Sequence, residues 1–186
     1  MKIKKDSVKC KIIDSATKEF YKNGYKDASM RDIAGAAGIT PGNIYRYFPS
    51  KEALFETVVD SIYSWAIRVL AMNFDFTKIN PNERKLAFIA ENVTNYVIKN
   101  KLAFLILLTK ANGSKFETVV ADFKEKIAKA INDTKTESDI DVCNVYAEAL
   151  VHSIIYITET YFNDEKKLKD LSFKLIFEMF KSSKEF

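Results

Sequence analysis

The stretch that decides the fold is residues 28–55, ASMRDIAGAAGITPGNIYRYFPSKEALF. Ser29 is a favourable N-cap residue, because its hydroxyl can accept a hydrogen bond from a backbone N–H in the first helical turn. Gly38 suits the left-handed conformation that ends many helices. Thr40-Pro41 is a second start signal, an N-cap residue followed by proline in the first turn. The sequence therefore predicts two short helices joined by a tight turn, at about residues 30–37 and 41–48.

Two short helices joined by a glycine-containing turn form a helix-turn-helix. In that unit the second helix lies in the major groove of DNA, and its N-terminal residues contact the base edges. Asn43, Arg46 and Tyr47 can hydrogen-bond to DNA, and the small Gly42 allows the helix to approach the bases closely. The apolar residues of the same helix are predicted to face the core, and these are Ile44 and Phe48.

The segment from about Lys11 to Phe55 resembles the DNA-binding domain of TetR-family transcriptional repressors. The matching motifs keep their spacing throughout: Phe20-x-x-x-Gly24-Tyr25, Met30-Arg31-Asp32-Ile33-Ala34, Ala37-Gly38-Ile39-Thr40, Asn43-Ile44-Tyr45-x-Tyr47-Phe48 and Ser50-Lys51-Glu52-x-Leu54-Phe55. The resemblance covers about the first third of the chain, and the remainder matches in length and helical character. Asn43 departs from the pattern, since many relatives carry a smaller residue or threonine there, and this bears on which operator is read.

The resemblance implies a homodimeric repressor that binds a palindromic double-stranded DNA operator and is released by a small apolar or amphipathic effector. Together with helix geometry, it assigns two sets of DNA contacts. The residues assigned to base readout are Arg31, Pro41, Gly42, Asn43, Arg46 and Tyr47. The residues assigned to phosphate contact are Ser29, Thr40, Tyr45, Tyr47 and Lys51.

The 186 residues are 47% hydrophobic, which excludes a disordered chain, and the presence of only 5 glycines and 3 prolines favours an all-α fold over a turn-rich β fold. We expect about nine helices, with a three-helix DNA-binding domain at residues 1–54 and a helical effector-binding and dimerisation domain at residues 55–186. Residues 1–54 hold eleven Lys and Arg against six Asp and Glu, while the whole chain has a net charge of +4. The positive charge is therefore concentrated on the segment expected to meet phosphate. A solvated lysine-rich surface is the alternative explanation.

The sequence offers no catalytic or metal-binding pattern. It has one histidine, no Cys/His motif and no glycine-rich phosphate loop. Cys10 and Cys143 lack the spacing of a zinc site, and two lone cysteines fit a reducing cytoplasm. The charged N-terminus has no apolar h-region, and the longest apolar run, residues 102–108, is too short to span a bilayer. We therefore expect a cytoplasmic protein that is not an enzyme, needs no cofactor or metal, and does not bind membranes.

Two other functions are kept as alternatives. The first is an enzyme or carrier with an incidental helix-turn-helix, which salt-sensitive DNA binding with a sequence preference would exclude. The second is an architectural DNA-binding protein without a small-molecule effector, which a ligand that lowers operator affinity would exclude.

The last two predicted helices, at about residues 140–162 and 165–181, are apolar on two sides. A helix that is apolar on two sides is buried on two sides. We therefore expect them to pair with a second copy in a four-helix bundle, with Ile154 and Phe177 on the outer stripe. A pair of central helices inside one subunit is the alternative.

An effector pocket is predicted among the aromatic residues of the C-terminal domain, since pockets between bundle helices commonly bind ligands. An aromatic stripe at helical spacing also fits an ordinary core. The lone histidine fits a hydrogen-bonded core or interface residue better than a ligand contact. The candidate effector-binding residues are Trp65, Phe88, Asn92, Tyr96, Phe104, Phe123, Tyr146 and His152.

Overall fold

The computed structural model describes residues 2–71, 83–132 and 139–182. Within these ranges the chain forms nine helices and no β-strand, which confirms the predicted all-α fold. A predicted connector at residues 74–80 lies outside the described residues. The helices are α1 (Lys2–Asp27), α2 (Met30–Ala36), α3 (Pro41–Ile44), α4 (Lys51–Ala71), α5 (Glu83–Lys99), α6 (Lys101–Thr109), α7 (Val119–Asn132), α8 (Ile140–Thr160) and α9 (Glu165–Ser182).

The helices divide into two compact units. The first unit comprises Met1–Trp65 and Leu102–Thr118, and the second comprises Ala66–Lys101 and Val119–Phe186. The predicted functional boundary after residue 54 falls inside α4, whose buried apolar side continues to Ile62. No change in packing therefore marks that position, and the division at residue 54 stays a prediction about function.

The core of the first unit begins on α1. Ile12, Ala16 and Phe20 are each fully buried, and their spacing of four places them on one side of the helix. Toward its end α1 kinks at Gly24, whose φ of 74° lies in the left-handed region that glycine adopts without steric cost. The kink brings Tyr25 back over the core, where its ring stacks at 6.3 Å from that of Phe20.

Phe55 is the centre of an aromatic cluster in the first unit. Its ring meets Phe20 edge-on at 4.9 Å and Tyr25 edge-on at 5.0 Å, measured between ring centroids. The Phe116 ring lies 6.1 Å away on the other side and meets Tyr63 at 5.0 Å. The cluster therefore joins α1, α4 and the segment that follows α6 into one core.

The second unit is built from helix pairs, in which α8 packs against α7 and α9, and α9 also packs against α5. Ala128 and Ile131 of α7 form a buried cluster with Cys143 and Ala147 of α8, and the ring of Tyr146 packs against it. Cys10 is exposed and Cys143 is buried, and both thiols are free.

The assignment of Ile154 to the outer stripe of α8 is wrong. Ile154 is buried within the single chain, on the side of α8 that also carries Cys143, Ala147 and Val151. These positions follow helical spacing and pack toward α7 and α9. The opposite side of α8 is the exposed one, and Val145 is its most exposed apolar residue at 68%.

Candidate nucleic-acid interface

The start of α2 is fixed by Ser29, as the sequence predicts. The Ser29 hydroxyl oxygen accepts hydrogen bonds from the backbone N–H of Arg31 at 3.2 Å and of Asp32 at 3.5 Å. Ser29 is half-buried, whereas Arg31 is exposed in the first turn of α2. The cap therefore fixes the start of α2 and, with it, the position of the exposed Arg31 side chain.

The turn after α2 closes with a complete Schellman motif. The N–H of Ile39 donates to the carbonyl oxygen of Ala34, and that of Gly38 donates to Gly35, both at 3.0 Å. Gly38 has a φ of 72°, which confirms its predicted left-handed conformation. Because both hydrogen bonds satisfy helix-end carbonyls, the direction in which the chain leaves α2 is well defined.

The regular part of α3 is shorter than predicted and ends at Ile44. The chain continues in tight turns to Phe48, since the N–H groups of Tyr47 and Phe48 both donate to the Ile44 carbonyl at 3.0 Å. Pro49 then prevents further helix, because proline disfavours the α conformation of the residue before it. Thr40 is the N-cap residue by backbone geometry, although its hydroxyl makes no capping hydrogen bond.

The predicted inward and outward sides of this segment are largely confirmed. Ile44 is fully buried and Phe48 nearly so. The side chains assigned to DNA contact are exposed at Pro41, Gly42, Tyr45 and Arg46 and half-buried at Asn43 and Tyr47.

Gly42 has no structural reason to be glycine within the described chain. A Cβ atom built there would meet nothing within 4 Å, and the residue does not have a positive φ. Glycine inside a helix costs roughly 0.5–1 kcal/mol relative to alanine. The lack of any steric constraint from the protein agrees with the predicted close approach of this surface to DNA.

Lys51 is placed differently from a simple phosphate clamp. Its ammonium donates hydrogen bonds to the carbonyl oxygens of Lys26 and Ala28, both at 3.1 Å, and lies 4.6 Å from the ring centroid of Tyr25. A lysine has three N–H donors, so one remains for a phosphate. Sequence reasoning missed these contacts, because the partners lie 25 and 23 residues away along the chain.

Glu52 connects the end of α1 to the segment after α6 within the first unit. Burial of the Tyr25 side chain, with its hydrogen bond to Glu52 and the charge of that carboxylate, raises the pKa of Tyr25 to about 12. The same carboxylate accepts from the N–H of Lys115 at 3.3 Å, while the Lys115 ammonium pairs with Glu56 at 2.6 Å. The N–H of Tyr25 also donates to the Lys110 carbonyl at 2.8 Å. The first turn of α4 is therefore anchored on two sides.

The eight predicted effector residues are divided between the two units and differ in exposure. Phe88 is 67% exposed on α5, and the Asn92 amide nearby donates to the Phe88 carbonyl at 2.7 Å. Trp65 and Phe104 belong to the first unit and the others to the second. Half-buried positions are taken by Trp65, Tyr96, Phe104 and Tyr146, while Phe123 is buried and His152 is exposed. The assignment to an effector site stays a prediction.

His152 lies in a groove of about 520 Å³ along the exposed side of α8, lined by Asn144, Val145, Glu148, Ala149, His152 and Ser153. Its Nδ1 atom is 3.1 Å from a carboxylate oxygen of Glu148. Glu148 in turn pairs with Lys124 of α7 at 2.7 Å, and the hydrogen bond from that ammonium lowers the pKa of the carboxyl group. His152 is therefore a surface residue of α8.

Comparison with known proteins adds to this geometry. Residues 12–58 match the model for bacterial regulatory proteins of the tetR family. The HTH-type transcriptional regulator UidR of Escherichia coli K12 is 34% identical over 59 residues, which span 32% of this chain and 30% of UidR. The aligned part is thus less than a third of that relative.

Solved structures extend the likeness along the chain. A TetR-like transcriptional regulator from Rhodococcus sp. RHA1 has a TM-score of 0.61 at 20% identity, covering 91% of this chain and 93% of that one. The regulator FadR of Bacillus subtilis, solved in complex with stearoyl-CoA, has a TM-score of 0.57 at 19% identity, covering 91% and 96%. At these identities the structures show a shared fold.

Proposed function

Because this chain belongs to the TetR family of bacterial transcriptional regulators, we propose that it is a cytoplasmic homodimeric repressor that a small-molecule effector releases from a palindromic operator. Members of this family bind DNA and are typically ligand-responsive repressors. The observation that best supports DNA binding here is the exposed surface of the helix-turn-helix, where Gly42 and Arg46 project from a segment anchored by buried Ile44 and Phe48.

The geometry of the segment supports one set of residues for base contacts and another for phosphate contacts. Arg46 and Asn43 lie on the segment that would enter the major groove, and arginine and asparagine pair in bidentate fashion with guanine and adenine. Ser29 and Tyr45 are polar residues at the margins of the same surface, suited to phosphate. In a two-fold dimer, the helix-turn-helix units of the two subunits would read an inverted repeat in successive major grooves.

Selection of bound genomic DNA fragments should return an inverted repeat, and Arg46→Ala and Asn43→Ala should then weaken binding to it by about 1–3 kcal/mol per half-site. Their affinity for scrambled duplex should change much less, since base contacts carry the sequence preference. Salt titrations on the operator and on the scrambled duplex measure the two affinities. Arg68→Ala, an exposed arginine in the second unit, is the matched control and should leave operator affinity unchanged. Equal losses on operator and scrambled DNA would show that the recognition segment is misplaced.

A dimer through α8 and α9 is supported by the uncovered side of α8. Among the described residues, α8 alone has the length and apolar composition of a membrane span, yet only 28% of its most apolar window is buried. Val142, Val145 and Tyr156 are exposed at 42%, 68% and 64%. Exposed apolar surface of this kind is typical of an interface. A second copy of α8 is the occupant that the family membership favours, and we propose it here.

An apolar or amphipathic effector should bind the helical domain at residues 55–186 and weaken operator binding by roughly 5–150-fold, the range of typical coupling energies. We propose that α4 transmits the effect of the ligand to the helix-turn-helix, because its residues belong partly to the first unit and partly to the second. Stearoyl-CoA, which the related fold of FadR holds, is a suitable first probe. Operator affinity measured with and without the probe gives the effect.

A ligand that binds the domain at residues 55–186 without changing operator affinity would contradict the regulatory part of the proposal and favour an architectural DNA-binding protein. Heat-denatured protein serves as the control for non-specific uptake of an amphipathic ligand.

A further inference from the structure

The short segment between the Gly24 kink of α1 and the start of α2 presents backbone carbonyls to a side chain distant in sequence. Two such groups, on Lys26 and on Ala28 just beyond the helix end, receive hydrogen bonds from the Lys51 ammonium at 3.1 Å each. Lys51 therefore acts on the backbone that leads into α2.

The Lys51 side chain is also held along its length. It is half-buried, and its ammonium lies over the Tyr25 ring at 4.6 Å, within the range of a cation–π contact. A salt link at the surface would leave the lysine stem mobile, whereas here the stem, ring and two carbonyls define one position.

The anchored carbonyls lie immediately before the cap of α2. Ala28 is followed directly by Ser29, whose hydroxyl sets the first turn and, with it, the exposed Arg31. A shift of residues 26–28 would therefore move the cap and the side chain proposed to read DNA. This chain of contacts runs from Lys51 to Arg31 without leaving the first unit.

From these contacts we infer that Lys51 is a positioning residue for α2, which places Arg31 for DNA binding by fixing residues 26–28. This inference rests on the proposed function for the role of Arg31. It is separate from the phosphate contact predicted for Lys51 from the sequence, for which one N–H donor remains.

The decisive variant is Lys51→Met, which keeps an apolar stem over Tyr25 but removes the donors. In the free protein, hydrogen exchange at the amides of residues 30–34 should become at least about tenfold faster, because the lead-in to α2 loses its anchor. Lys26→Met removes the same charge from an exposed side chain of the same segment and should leave this exchange unchanged. Lys51→Arg retains donors and should restore most of the protection. Circular dichroism confirms that each variant is folded.

Salt titrations on the selected operator provide the second readout. A phosphate clamp lost from both heads of a dimer would lower the salt slope by about two. A positioning residue lowers affinity through Arg31, so Lys51→Met and Arg31→Ala should be less than additive in combination, whatever the slope. Additive losses would overturn the inference.

The two readouts separate this inference from the proposed function. If the wild-type protein binds no duplex DNA, the proposed function fails, while exchange at residues 30–34 still decides whether Lys51 positions α2. Unchanged exchange in folded Lys51→Met would overturn the inference even if operator binding is demonstrated.

Discussion

Replacing Val145 by glutamate is expected to convert the proposed dimer into a folded monomer. Val145 is 68% exposed in the single chain, so a carboxylate there remains solvated and leaves the subunit fold intact. In a two-fold interface the same change occurs twice. An uncompensated buried charge costs about 3–5 kcal/mol, so two should cost roughly 6–10 kcal/mol. Since 1.4 kcal/mol is tenfold in an equilibrium constant, the dimer dissociation constant should rise by about 10⁴-fold or more.

Analytical ultracentrifugation at micromolar concentration measures this effect, and circular dichroism verifies that the monomer is folded. Ala121→Glu adds the same carboxylate to an exposed position on α7 and should remain dimeric. Because two linked heads bind one operator, the Val145→Glu monomer should also lose at least about a hundredfold in operator affinity. A wild-type chain that sediments as a monomer, or a folded Val145→Glu chain that stays dimeric, would contradict the proposed interface.

Ile154→Glu would not test the same idea, although sequence periodicity suggests it. Ile154 is buried inside the subunit, so its replacement would unfold the chain and dissociate any dimer indirectly. Both sides of α8 are apolar, and periodicity reveals two stripes without telling which one packs inward. Only the positions of α7 and α9 decide this, and they are set by contacts distant in sequence.

Signals that act within a few residues were predictable. Ser29 caps α2, Gly38 takes the left-handed conformation, and the Ser50 hydroxyl accepts from the N–H of Ala53 at 3.1 Å at the start of α4. Each of these follows from the chemistry of one side chain and its local backbone. The inward side of the recognition segment was also predictable, because Ile44 and Phe48 are four residues apart.

Contacts between distant segments were not predictable from the sequence. The ammonium of Lys51 finds carbonyls more than 20 residues away, and the carboxylate of Glu52 meets Lys115. The inclusion of Leu102–Thr118 in the first unit has the same origin. Neither the spacing of hydrophobic residues nor the chemistry of turns determines which distant segment a helix end will contact. From the sequence, Lys51 and Glu52 could therefore be assigned only as residues at the start of a helix.

Aromatic residues were the weakest guide to the effector site. An aromatic side chain at helical spacing can line a pocket, fill a core or stand at the surface. Phe123 is buried, while Phe88 is largely exposed, and both were selected by the same criterion. The hydrogen bonds and burial that distinguish these roles depend on neighbouring helices, which the single sequence does not specify.

Truncating Phe55 to alanine is expected to lower the free energy of unfolding of the first unit by about 3–5 kcal/mol, the usual cost of emptying a buried phenylalanine site. Phe55 is fully buried, and its ring contacts Phe20 and Tyr25 edge-on and lies 6.1 Å from Phe116. Such ring pairs contribute about 0.5–1.5 kcal/mol beyond the burial of apolar area. The loss should therefore lie toward the upper end of the range.

Urea unfolding followed by tryptophan fluorescence measures this loss of stability in the first unit, because the only tryptophan of the chain, Trp65, belongs to that unit. Phe88→Ala is the matched control, since the same atoms are removed from a side chain that is 67% exposed, and it should change stability by less than about 0.5 kcal/mol. Protein concentration must be equal in all experiments, because dimerisation adds to apparent stability. If Phe55→Ala were no more destabilising than Phe88→Ala, the aromatic cluster would not be the core that joins α1, α4 and the segment around Phe116, and the anchored lead-in to α2 would need another support.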